Sequence, residues 1–145
     1  MNSIWYIAIG VIIFPLAIGL PLAGRDNRAG DSANEDVPIG VWGGQHISLE
    51  LTERGGAVEY DCAHGTIDEK MVVDRRGRFD VRGTQVEERG GPLRENQRPG
   101  GFPVRLTGQI KGRNMKLTVT RVDTKKIVGT FNLVHGREPA VVKCK

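Results

Sequence analysis

The sequence is short of the side chains that do covalent chemistry. Its 145 residues include two cysteines, three histidines and three serines. Ser3 and Ser32 precede the candidate folded domain, which leaves Ser48 as the one serine within it. A serine nucleophile is close to excluded by supply. No C-x-x-C or H-x-x-x-H spacing is present, and structural zinc usually wants four such ligands. "GVWGG" and "RGG" precede no helical pattern, so neither reads as a phosphate-binding loop. Aromatics are few as well. Beyond residue 38 they are Trp42, Tyr60, Phe79, Phe102 and Phe131. Binders of single-stranded nucleic acid interleave cations with aromatic platforms, so nucleic acid is a poor partner for this chain. Nothing here asks for a cofactor or a metal, and these absences point away from an enzyme.

Charge is missing from the N-terminus. Residues 4–23, "IWYIAIGVIIFPLAIGLPLA", contain no charged residue. About 20 apolar residues are enough to span a bilayer. Trp5 and Tyr6 suit a membrane interface. Pro15 and Pro21 argue against a helix buried in a soluble core. Residues 1–24 therefore read as an apolar helix that is either a signal peptide or a transmembrane anchor. No Lys or Arg precedes the run, unlike a typical signal peptide. Leu22-Ala23-Gly24 nevertheless resembles a cleavage site. Arg25 stands where a lipidated cysteine would be, which excludes lipidation there. Arg25 and Arg28 favour a cytoplasmic flank by the positive-inside rule, and this opposes export. Residues 25–38 are polar and read as a flexible linker.

From residue 39 to 145 apolar and polar residues alternate, as in half-buried strands. "HISLELTE" puts Ile47, Leu49 and Leu51 on one face, with His46, Ser48 and Glu50 opposite. The same parity gathers Val58, Tyr60 and Cys62. It also gathers Phe79, Val81 and Gly83, then Val104, Leu106, Gly108 and Ile110. Met115, Leu117 and Val119 follow, then Ile127, Gly129, Phe131 and Leu133. Turns at Arg54-Gly55-Gly56, Arg75-Arg76-Gly77 and Gly112-Arg113-Asn114 punctuate these runs. With a strand over Thr66–Val73 and a closing one in "AVVKC", about eight strands result. The expected fold is all-β, an antiparallel meander closing into a small barrel or a flattened sandwich. No amphipathic helix pattern follows residue 38.

One connection has no periodicity. "EERGGPLRENQRPGGFP", residues 87–103, holds four Gly and three Pro. Loops of that length are usually functional or disordered. Arg89, Arg94, Arg98 and Phe102 are its candidate contact residues, with Phe102 either an exposed anchor or a plug in one barrel end.

"VEYDCAHGTID", residues 58–68, holds Cys62, and the other cysteine, Cys144, is next to last. Each sits on the apolar parity of its run. Two cysteines in an exported chain suggest one bridge. It would close a loop of 82 residues, worth up to about 4 kcal/mol by chain entropy. A catalytic Cys62–His64 pair would need a third group to hold the base, and Asp61 lies on the opposite face of a regular strand. His64-Gly65 then reads as a turn.

Charge is uneven. Residues 25–36 hold two Arg and four acids, while residues 103–145 hold ten Lys or Arg and two acids. A basic face favours an anionic partner such as acidic protein or lipid headgroups, or is simply the solvated outer side of strands. The inward parity offers few polar groups to orient a ligand: Gln85, Arg121 and His135, near strand ends. An eight-stranded interior is just wide enough to be filled by side chains.

Three resemblances follow from short motifs. Gly40-Val41-Trp42 resembles the entry of lipocalin-like barrels. The resemblance implies that Trp42 plugs the barrel base beneath a basic residue from the last strand, Lys143 or Arg137. "EYDCAHG" resembles the entry of small exported inhibitor barrels that block lysozyme. The stretch Asp61–Ile67 with Lys143-Cys144 is similar to an uncharacterised family of small exported bacterial proteins, which implies no known activity.

The expectation is a non-enzymatic, exported barrel with one disulfide, on the periplasmic or cell-envelope side, that contacts another macromolecule. It would be an accessory subunit held beside a membrane complex by residues 4–23. The alternatives are a released hydrolase-inhibitor-like protein and a carrier of a small apolar ligand.

Overall fold

The computed structural model describes residues 34–88 and 100–144. The expected membrane segment with Trp5, Tyr6 and Arg25, and the loop residues Arg89, Arg94 and Arg98, lie outside the described residues. Among the described residues no helix is long and apolar enough to cross a membrane.

A two-residue strand β1 (Glu35–Asp36) precedes β2 (Gly40–Gly44), β3 (Ile47–Leu51), β4 (Gly56–Tyr60) and β5 (Ala63–Ile67). After a short β6 (Val72–Val73) come β7 (Arg78–Glu87), β8 (Phe102–Lys111), β9 (Asn114–Arg121) and β10 (Ile127–His135). Each barrel strand pairs antiparallel with the next, and β10 pairs back onto β2. The sheet is thus a closed barrel of eight strands, not a sandwich. β1 and β6 form a separate two-stranded sheet. Of the polar stretch 25–38, the described residues Asn34–Pro38 join the fold through β1, through the Lys70–Asp36 ion pair and through the buried Val37.

The alternating parity fills the inside. Ile47, Leu49, Val58, Leu106, Leu117, Val119 and Leu133 are almost wholly buried, with Phe79, Val81 and Met115 among them. Twenty apolar residues share this one cluster, and it accounts for most of the folding drive.

Four local features depart from the pattern, each for a physical reason. The first barrel strand is Gly40–Gly44, which three glycines hide from a periodicity count. His64 and Gly65 lie within β5, and the turn falls one step earlier, at Asp61-Cys62. Ile127 does not share the inward face of Phe131 and Leu133. The register slips between Ile127 and Gly129, so Ile127 pairs with Thr120 on the outward parity and is 68% exposed. Such a bulge re-aims a side chain. Finally, "AVVKC" is not a strand. β10 already closes the barrel on β2, so no edge remains for it. After Gly136, with φ 74°, and Pro139, the chain makes a single parallel bridge, Gln45 to Ala140. The cysteines therefore leave the apolar parity: Cys62 and Cys144 are both exposed.

Candidate functional site

The stretch Asp61–Ile67 and the C-terminal residues meet at one end of the barrel. Cys62 and Cys144 form a disulfide, with Cα atoms 5.1 Å apart. The Asp61 carbonyl accepts the Cys144 amide at 2.9 Å, and its carboxylate accepts the Val142 amide at 2.9 Å. His46 Nδ1 lies 2.6 Å from the same carboxylate. The Val142 amide, with His46 beside it, holds the Asp61 carboxyl below the usual carboxylate range. Lys143 Nζ reaches Glu59 at 2.6 Å, Glu88 at 3.1 Å and the Ala63 carbonyl at 3.3 Å. Glu88 also meets His64 Nδ1 at 2.8 Å, and that bond leads in lowering the Glu88 carboxyl.

These contacts explain the motif residue by residue. They give Cys62, His64, Asp61 and Lys143 partners within the fold. Both cysteine sulfurs are in the bridge, so neither stands as a free thiol beside His46 or His64. Among the described residues no cluster of three or more His, Cys, Asp or Glu is arranged to hold a metal. This end of the molecule is a fastening.

Trp42 is fully buried at the opposite end. Its Nε1 donates to the Pro38 carbonyl at 3.0 Å, and its ring faces His135 at 4.9 Å between centroids. His135 of β10 stands against the Trp42 ring, and Lys143, one of the two basic residues expected over it, is drawn instead to Glu59 and Glu88 at the other end. Phe102 is buried, with the Arg121 guanidinium 3.9 Å above its ring. It plugs rather than projects.

Gln85, one of the inward polar residues, is 4% exposed, and its Oε1 has no hydrogen-bond partner. Burial pushes the Tyr60 phenol up. The Tyr60 ring meets Phe131 across the interior at 5.5 Å. Arg121 and His135 turn to local partners instead: Arg121 Nε donates to Asp123 at 2.7 Å, and His135 Nε2 lies 3.0 Å from the Ile39 carbonyl.

The outer face of β7–β10 carries the arrangement that periodicity did not reveal. Register places Arg82 opposite Arg105, Arg105 opposite Thr120, and Thr120 opposite Ile127. The four residues form one row across four strands. Like charges directly opposite are destabilising. Two acids moderate that cost. Asp80 binds Arg105 through both its oxygens, and the Asp80 bonds push the guanidinium pKa up. Glu69 accepts the Arg82 amide at 2.7 Å but meets Arg82 Nε only at 3.4 Å. The Arg82 side chain is 81% exposed. A groove of about 760 Å³ follows the row, lined by Arg82, Arg105, Thr120, Arg121, Val122 and Lys125 together with Glu69, Asp80 and Thr107. Val122 within it and Ile127 next to Thr120 are exposed.

Compared with family models, curated proteins and solved structures, the chain matches none. The functional reading rests on the residues of this chain.

Proposed function

We propose that this protein is a non-enzymatic, exported barrel, held at a membrane, that works by contact between its outer face and another macromolecule. The single observation that carries this is the row Arg82–Arg105–Thr120–Ile127 on the outer face. Two opposed guanidiniums repel each other in a free protein, and Arg is enriched among the residues that carry binding energy at an interface. A disulfide suits an oxidising compartment. The apolar run 4–23 supplies the tether.

A released inhibitor is the second reading, favoured by the cleavage-like Leu22-Ala23-Gly24. An apolar-ligand carrier has less behind it, because Leu49, Leu106, Leu117 and Leu133 occupy the interior.

The test is a photoreactive benzoylphenylalanine in place of Ile127, with Glu50 on the outer side of β3 as control. In cells the full chain should form an adduct from position 127 and none from position 50. Equal labelling at both, or none at either, would refute a specific contact face.

A further inference from the structure

The groove beside Ile127 combines cations, hydroxyls and exposed apolar side chains. We propose that it binds the anionic headgroups of a phospholipid surface; this rests on the reading of the outer face as a contact face and adds a lipid contact to it.

Charge comes first. Four cations line the groove, Arg82, Arg105, Arg121 and Lys125, against two acids, Glu69 and Asp80, a surplus of 4 − 2 = 2. Asp123 binds Arg121 from the following turn and Glu87 acts on it as well, so Arg82, Arg105 and Lys125 are the cations that face an incoming anion. An anion placed between Arg82 and Arg105 would relieve their mutual repulsion. Arg82 is the freer of the two to reach it, since Asp80 takes two bonds from Arg105. Guanidiniums match phosphate oxygens in geometry.

The apolar side chains decide between classes of anion. A small soluble anion needs none. Val122 lines the groove and Ile127 continues the row from Thr120, and both are exposed. Apolar groups set among Lys and Arg are what an interfacial binder buries at the boundary of headgroup and acyl chain.

The experiment places benzoylphenylalanine at position 127 of the full chain. The chain is reconstituted in vesicles of phosphatidylcholine alone or with phosphatidylglycerol, and the adducts are weighed. Lipid adducts should be enriched with phosphatidylglycerol and suppressed by high salt. Each cation near an anionic surface is worth about fivefold. The double variant Arg82→Gln, Arg105→Gln should therefore weaken labelling about twenty-five-fold while its melting temperature holds. Equal labelling in both vesicles would overturn headgroup binding. So would a protein adduct without lipid in native membranes, but that result would leave the contact face standing. No adduct in vesicles or native membranes would remove both.

Discussion

The main-chain carbonyl of Asp61 accepts a hydrogen bond from the amide of Cys144 at 2.9 Å, while Cys62 next to it is bonded to the Cys144 sulfur. The last residues of the chain are thus fastened to the β4–β5 turn by main chain, side chain and covalent bond together. They run where no strand edge remains, so these links hold a segment that would otherwise fray.

Removing the bridge should be expensive. Cys62→Ser with Cys144→Ser should cost about 2–5 kcal/mol, the usual loss for a small secreted domain, read as a fall in urea midpoint. An unchanged midpoint would mean that the Asp61 and Lys143 contacts alone hold the segment.

Acid should loosen the same end. The folded pKa values of Asp61 and Glu88 lie below their unfolded values. The folded state therefore binds fewer protons than the unfolded state at these groups. Their stabilisation is complete above the unfolded values, about 3.9 for Asp and 4.3 for Glu, and is lost as pH falls through the lowered folded values. Asp61→Asn should flatten the pH dependence of the urea midpoint below about pH 4. A curve parallel to that of the wild type would contradict the role given to Asp61.

Gly65 has no room for a methyl group. A Cβ there would lie 2.6 Å from the Thr84 carbonyl oxygen of the neighbouring strand β7. Backbone cannot yield as a flexible side chain can. Gly65→Ala should destabilise by about 1–3 kcal/mol, measured by thermal unfolding. A neutral result would mean that β5 and β7 separate easily at this pair.

The outer row should separate function from stability. Arg82→Gln removes one of two opposed like charges, so the melting temperature at low salt should hold or rise. Ile127→Thr should also be neutral for stability, since the side chain is exposed. Leu106→Ala in the core should cost about 2–5 kcal/mol by comparison. A large loss from either surface change would assign the row to the fold and not to contact.

Much of the barrel was legible in the sequence, because parity is a local property. Ile47, Leu49, Phe79, Val81, Leu117 and Val119 each point where alternation puts them. The disulfide was legible from a count of two. What parity cannot carry is register. The slip before Gly129 turns Ile127 outward, and only strand pairing brings Arg82, Arg105 and Thr120 into line with it. The closing strand was misplaced for the same reason. "AVVKC" alternates like a strand, but β2 had already taken the free edge of β10. The contact residues expected in the long loop lie outside the described residues or, like Phe102, turn inward.

The most direct measurement is the intact mass of the native protein from membrane and soluble fractions, with and without reductant. A membrane-held, exported, stapled barrel predicts the full-length mass in the membrane fraction, lighter before reduction by the two hydrogens lost to the Cys62–Cys144 bond. A full-length protein with free thiols would contradict export. A chain lacking its first residues, found in the soluble fraction, would contradict the membrane tether and move the released-inhibitor reading to the front.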